Sequence, residues 1–404
     1  MKRGSLAVLL GGMFVVMVGF GIIIPVMPFY VLHFGASSIH LGLLMMLYST
    51  MQFLSAPVWG ALSDRIGRKP VLLIGLGGFV LSFTFFALAT RLWMLFAARA
   101  LAGLLSSATL PTAMAYISDT TSEESRGGGM GLMGAAMGLG MILGPAVGGL
   151  LSKASIQTPF FVAAAMAAAN LAAGAALLPE SLDPARRAAG RPRGLGPRPS
   201  RWQLASGPLA ILFVLTFIVS FSMAGLESTY ALYLNARLGF GSTEMGLLFM
   251  VMGAVGVAAQ MSVGRLIKRF GEAAVARFGL AVSLAGVLLI TRLWNPVTAA
   301  AFASVFSFGN SLVRPSVSSL VSKKTTVGQG TALGTMQSFD SLGRIAGPAW
   351  GGLAFYLLRD LPYYTAAAVL AAGLVVTLAG RSLLRPTAAP SAGNDRKNGL
   401  GLRG

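Results

Sequence analysis

Gly60-Ala61-Leu62-Ser63-Asp64-Arg65-Ile66-Gly67-Arg68-Lys69 forms a ten-residue charged turn between two long apolar runs. It returns in weaker form 204 positions later as Gly264-Arg265-Leu266-Ile267-Lys268-Arg269-Phe270-Gly271-Glu272. The register of the repeat reaches beyond the turn. Gly35, Gly42, Leu43, Leu44, Met46, Gly75 and Leu76 fall at the same offset on Gly239, Gly246, Leu247, Leu248, Met250, Gly279 and Leu280. Further along, Gly144-Pro145-Ala146-Val147-Gly148-Gly149 answers to Gly347-Pro348-Ala349-Trp350-Gly351-Gly352 at an offset of 203. The chain therefore reads as a duplication, two halves of one construction joined in parallel.

The solvent of those halves follows from composition. Of 404 residues, 55% are hydrophobic and only 11% charged, too little polar surface to coat a soluble globule of this size. A membrane-spanning helix needs about 20 largely apolar residues. The pattern predicts an all-α integral membrane protein of twelve such helices, over residues 6–29, 40–60, 71–90, 92–117, 129–151, 159–178, 207–234, 243–264, 274–292, 296–321, 330–356 and 361–384. The expected division is a first six-helix half at 1–179, a linker rich in Arg and Pro at 180–203, a second half at 204–385 and a disordered tail at 386–404.

A net charge of +19 raises the question of nucleic acid, but the placement of the charge answers it. Twenty-three of the 31 basic residues fall on the N-terminus, the even-numbered connections and the tail, against five on the other side: Arg91, Lys153, Arg237, Arg292 and Arg359. This is the bias of positive-inside topology, and it predicts cytoplasmic termini, a lipid bilayer as partner and no nucleic acid. Trp93 and Trp294 at predicted outer ends, with Trp59 and Trp202 at inner ends, read as interfacial anchors. Lys2 and Arg3 ahead of an apolar run pose a signal peptide as an alternative for the first segment; the run is longer than such a region and no small-x-small cleavage site closes it, so it is read as helix 1. The chain has no cysteine, which removes disulfides and thiolate chemistry, and His33 and His40 read as solvated loop residues. No cofactor or metal site is expected.

The first turn resembles the G-x-L-x-D-R-x-G-R-K signature of the major facilitator superfamily, carried here by Gly60, Leu62, Asp64, Arg65, Gly67, Arg68 and Lys69. Gly60 suits close helix contact and Gly67 a tight reversal, since neither has a Cβ. Asp64 suits a helix N-terminus, where the macrodipole favours an anion. The resemblance implies that this terminus belongs to helix 11, near Gly330, and that Arg68 pairs with Asp119, so that the cytoplasmic side is latched when the protein faces outward. In the second copy Lys268 and Glu272 stand at the acid and arginine positions, so the same latch cannot form with the same signs. The helix 5 glycines Gly140, Gly144, Gly148 and Gly149, with Pro145, resemble the G-P-x-x-G-G signature of antiporters of this superfamily; the same spacing also suits plain small-residue packing. Gly19 to Pro28 is similar to helix 1 of drug:proton antiporters, particularly bacterial tetracycline and multidrug exporters. One departure is Val16, which stands where tetracycline exporters of the Gram-negative type carry an acid.

Ionisable residues inside apolar spans cost several kcal/mol unless paired or hydrated, which marks Arg99, Glu227, Arg314, Asp340 and Arg344. Arg99 sits where the family has a helix 4 arginine implicated in proton coupling; a structural hydrogen bond to helix carbonyls is the alternative. Glu227 has no basic residue within a helical turn, and its position resembles the helix 7 glutamate of Gram-positive multidrug exporters. Asp340 stands one turn before Arg344, which leaves a fixed ion pair and proton coupling both open. Arg314, beside Pro315, reads as a structural or snorkelling residue. With these residues, the resemblance implies a monomeric secondary transporter that exports amphipathic drugs in exchange for protons by alternating access, with the proton gradient as its energy source. Exporters or symporters of a sugar or organic anion are the alternative, which the arginines would suit. No nucleophile–base arrangement or phosphate loop supports an enzyme.

Overall fold

In the computed structural model, residues 3–182, 209–325 and 328–379 are described. They form twelve helical rods: α1 (Arg3–His33), α2 (Ser38–Ile66), α3 (Arg68–Ala87), α4 (Leu92–Thr120), α5 (Glu123–Leu151), α6 (Thr158–Leu177), α7 (Ala210–Leu238), α8 (Ser242–Phe270), α9 (Glu272–Ile290), α10 (Pro296–Lys324), α11 (Gln329–Leu357) and α12 (Leu361–Ala379). Within α4 the helix is interrupted at Ser107 and Ala108. Eleven of the rods are long and apolar enough to cross a membrane. The exception, α11, is 29 residues long but carries Asp340 and Arg344. Most of the expected linker, the expected tail and Trp202 lie outside the described residues.

The charged turn is far shorter than its composition suggested. α2 runs through the motif to Ile66 and α3 starts at Arg68, so the reversal rests on Gly67 alone, at φ 112°. Gly271, 204 positions later, does the same between α8 and α9 at φ 81°. Both angles lie where a side chain is strongly disfavoured, which explains the two glycines. Charge had marked the segment as loop, whereas it is helix emerging from the apolar layer.

Packing repeats with the sequence. In the first half α1 lies on α5 and α6, α3 on α4 and α6, and α2 on α4; in the second α7 lies on α11 and α12, α9 on α10 and α12, and α8 on α10. One buried core is built from Met13, Tyr30, Phe83, Phe86 and Phe160, the other from Phe213, Tyr230, Phe306 and Tyr363. Tyr30 donates to the carbonyls of Phe86 (2.9 Å) and Ala89 (3.1 Å), so the buried phenol is satisfied. His40 is not a free loop residue: it sits in the first turn of α2 with Nδ1 3.0 Å from the Ser37 hydroxyl, closing a capping box. Trp59 donates to the Leu104 carbonyl at 2.6 Å and so ties α2 to α4.

The halves meet along two seams, α2 with α11 and α5 with α8, and both close at the end away from the termini. A Cβ on Gly149 would fall 2.6 Å from the Ser242 carbonyl oxygen and 3.0 Å from the Gly246 Cα. On the other seam Gly42 and Gly352 approach in the same way, a Cβ on Gly352 falling 3.0 Å from the Gly42 Cα. Hydrogen bonds from Ser38 Oγ to the Gly352 carbonyl (2.8 Å) and from Thr243 Oγ1 to the Gly149 carbonyl (2.9 Å) seal the two contacts. At the terminal end Gly60, Gly131, Gly264 and Gly330 face nothing within 4 Å, and Val58 and Met261 are exposed. The bundle is open there. The close helix contact expected of Gly60 is not made among the described residues.

A branched side chain at Gly149 must push two backbones apart, at a cost of about 1–3 kcal/mol. Gly149→Val is expected to open the closed end, seen as several-fold faster maleimide labelling of a single cysteine at Ser152, next to Ser242. The chain's lack of cysteine makes that probe unambiguous.

Candidate functional site

Residues of the charged motif assemble into a knot at the terminal end. Arg68, at the first position of α3, donates from Nη1 to Asp64 Oδ1 (2.6 Å) and Ser63 Oγ (2.7 Å), and from Nε to Asp119 Oδ2 at the end of α4 (3.0 Å). The Arg68–Asp119 pair expected from the resemblance is formed, and one guanidinium ties α2, α3 and α4. Glu180, which sequence reading placed at the start of the linker, caps α3: its carboxylate accepts from the backbone N–H of Arg68 (2.8 Å) and of Lys69 (3.2 Å). Lys69 donates to the Ala175 carbonyl (2.8 Å), and Arg65 is exposed. Leu62 is half-buried. The expected contact between Asp64 and the start of α11 is not made among the described residues; Gly328 and Gly330 face open space, in keeping with the open end.

A sign-reversed copy of the same clamp stands in the second half. Glu272, at the first position of α9, accepts from Lys323 Nζ and from Ser319 Oγ (3.0 Å), both near the end of α10. Arg68 and Asp119 map onto Glu272 and Lys323 at the 204-residue offset. Reading the repeat for position rather than for sign would have found this pair.

The glycines of α5 divide their labour. Would-be Cβ atoms on Gly140 and Gly144 fall 2.6 Å and 2.7 Å from the carbonyls of Phe14 and Val18. Gly148 meets the Ile22 Cα at 2.9 Å, so these three hold α5 against α1. Pro145 lies beside Gly21 of α1, and Gly149 alone turns to the seam with α8.

Between the halves lies a cavity with about 440 Å³ of atom-free space, part of it open to solvent. Arg99 of α4, Glu227 of α7 and Arg344 of α11 line it, with Phe20, Met45 and Tyr48. Three of the five sequence-marked charges thus share one chamber. Arg99 is 1% exposed; its Nη2 points at the Met45 sulfur (2.6 Å) and its guanidinium carbon lies 5.0 Å from the Tyr48 ring centroid. Its Nε and Nη1 have no acceptor, so it is not bonded to helix carbonyls. Glu227 makes no hydrogen bond or ion pair with any described residue.

Asp340 lies apart from the lining and is fully engaged. Its Oδ1 accepts from Ser220 of α7, and its Oδ2 lies 3.1 Å from Gln337 Nε2, 3.4 Å from Arg344 Nε and 3.4 Å from Arg314 Nη2. Arg314, read as structural or snorkelling, reaches from α10 to make the second cationic partner of Asp340, a structural role whose partner the sequence spacing could not reveal.

Two six-helix halves, closed by glycine seams at one end, open at the other and enclosing a charged chamber, define a membrane carrier. The description Major Facilitator Superfamily fits the chain over residues 9–348 and 212–400. Multidrug resistance protein 1 of Bacillus subtilis (strain 168) is 30% identical over 384 residues, covering 94% of this chain and 97% of that protein. Tetracycline resistance protein, class C, of Escherichia coli is 34% identical over 375 residues, covering 88% and 93%. Among solved structures, the nucleoside transporter NupG matches with a TM-score of 0.77 at 14% identity over 94% of this chain and 100% of that one, and the human organic anion transporter MFSD10 with 0.68 at 24% over 93% and 99%. The chain belongs to the major facilitator superfamily: it is a multi-pass membrane transporter of small molecules.

With Arg314 and Arg344 both on Asp340, loss of one arginine leaves a counterion, whereas loss of the acid leaves two neighbouring cations. Asp340→Asn is expected to lower stability in detergent by about 1–3 kcal/mol, reduced from the figure for a dry pair because both arginines are over a third exposed. Arg344→Gln should cost about 1 kcal/mol or less, and the double variant less than the sum, measured as thermal unfolding in a double-mutant cycle.

Proposed function

We propose that this carrier is a proton-coupled antiporter that exports amphipathic drugs across the cytoplasmic membrane as a monomer, with both termini in the cytoplasm. The observation that carries the coupling is Glu227: an acid with no hydrogen bond or ion pair to a described residue, in the chamber between the halves that Arg344 also lines. An ionisable group so placed can exchange protons with whichever side the chamber faces. Drug export draws its support from relatives that align along nearly the whole chain and are named for multidrug and tetracycline resistance. Multidrug compounds rather than tetracycline are the better reading, since Val16 lies buried in the first core and supplies no acid on α1. The excess of basic residues at the terminal end supports the orientation, and the open end of the bundle would then face the cytoplasm. No cofactor enters this scheme; the proton gradient is its energy source.

In proteoliposomes with an acidic lumen, ethidium should accumulate against its gradient and leak back when a protonophore is added. Glu227→Gln is expected to abolish that accumulation while sparing ethidium-for-ethidium exchange, which moves no net proton. Retained uphill accumulation in the variant would remove Glu227 from the coupling step.

Asp64 belongs to the gating knot and touches no substrate, so Asp64→Asn should leave equilibrium ethidium binding unchanged and slow flux. The expected loss is about five- to thirtyfold, the equivalent of the ~1–2 kcal/mol that a carboxylate contributes at a helix N-terminus. Flux equal to that of the unmodified chain would mean that the knot plays no part in gating.

A further inference from the structure

The chamber holds two charged side chains, Arg99 and Glu227, that no described residue meets with an ion pair. Arg344 is held by Asp340, and Asp340 by four donors. Arg99 has a thioether and an aromatic ring for company, both weak partners for a buried guanidinium, and its Nε and Nη1 are unmatched. Glu227 makes no hydrogen bond or ion pair with any described residue; Arg344 is its charged neighbour, and it does not pair with Arg99 although both line the same chamber. A buried guanidinium without acceptors is costly unless something arrives to meet it.

We propose that the chamber is built for zwitterionic amphiphiles: a cationic end held at Glu227, a carboxylate end at Arg99, and an apolar body between them against Phe20, Ile24 and Met45. The inference rests on the drug-carrier reading and narrows its substrate class. A purely cationic ligand would satisfy Glu227 but leave Arg99 unmatched and add a positive charge beside two arginines. A purely anionic ligand would satisfy Arg99 but approach the Glu227 carboxylate. Only a dipolar ligand answers both.

Coupling gives an independent reason. The charged or titratable groups lining the chamber with Glu227 are Arg99 from α4, Arg344 from α11 and Tyr48 from α2. A cationic end competes with the proton for the Glu227 carboxylate, so loading substrate discharges the proton, as exchange requires. An anion alone would be favoured by protonated Glu227 and would travel with the proton. A zwitterion thus keeps the proton-competing end while using the arginine that a simple cation wastes. Since Arg99 stands in one half and Glu227 in the other, the bound ligand also bridges the halves.

Rhodamine B, which carries an iminium and a carboxylate, and its ethyl ester, which carries only the cation, share one ring system and fluoresce. Fluorescence titration of the protein in nanodiscs should give rhodamine B at least about tenfold tighter binding than the ester, the scale of one charge-assisted hydrogen-bonded contact. Arg99→Gln should erase the difference by weakening rhodamine B, Arg99→Lys should restore part of it, and Glu227→Gln should weaken both dyes. Equal affinity for the two dyes in the unmodified chain, or no binding of rhodamine B, overturns the proposal, and this comparison decides even where Arg99→Gln fails to fold. Failure of the broader reading looks different: ethidium would then not accumulate against its gradient, whatever the order of the two rhodamines.

Discussion

Closure of the bundle depends on backbone meeting backbone at four glycines. Gly42 with Gly352, and Gly149 with Gly246, bring α2 to α11 and α5 to α8 so close that no Cβ fits. In lipid there is no hydrophobic drive to press helices together, so association rests on dispersion and on hydrogen bonds made at close approach. Small residues supply that approach, and Ser38 and Thr243 add one hydrogen bond each to a facing glycine carbonyl. The contact is short along the helix axis. Above the chamber the seams are tight; towards the termini Gly60, Gly264 and Gly330 face open space. A contact confined to one end of long rods acts as a fulcrum, which suits rigid halves that rock rather than helices that bend.

Rigid halves need internal clamps, and these sit at the opposite end. Arg68–Asp119 ties α3 to α4, and Glu272–Lys323 ties α9 to α10 at equivalent positions with the signs exchanged. For holding two helices together the sign of each partner is immaterial. It matters one turn earlier, where the first half has Asp64 and the second Lys268. A carboxylate is favoured at a helix N-terminus and an ammonium is not. Sign reversal thus leaves the clamp inside each half intact while making the two seams electrostatically different when the terminal end closes.

Much of this was legible in the chain because it repeats. The 204-residue register located both charged turns and Gly67 was read as a tight reversal, but only the flanking helices show that each reversal is a single glycine, Gly67 and Gly271, at positive φ. Helix ends were less legible: α2, α5 and α8 each run about six residues past the apolar stretch that announced them, since charge is tolerated once a helix leaves the hydrocarbon. Arg68 and Asp119 were paired through a resemblance, whereas Glu180 was assigned to a linker because nothing local shows that its carboxylate folds back 112 positions onto α3. Arg314 was read as structural, but its partner could not be named for the same reason. Its partner is 26 residues away on the next helix, a distance at which spacing carries no geometry.

The two acids of the second half show how environment separates roles that sequence leaves equivalent. Asp340 and Glu227 are both carboxylic acids in apolar helices. Asp340 is held by Ser220, Gln337, Arg314 and Arg344, so protonating it would forfeit two cationic partners at once. Its position is that of a fixed counterion, joining α7, α10 and α11 into one body. Glu227 forfeits no hydrogen bond or ion pair to a described residue when it gains or loses a proton, and it lines the chamber between the halves. The proposed coupling therefore follows from a division of charge. The acid that is satisfied stiffens the half, and the acid that is not is left free to respond to what enters.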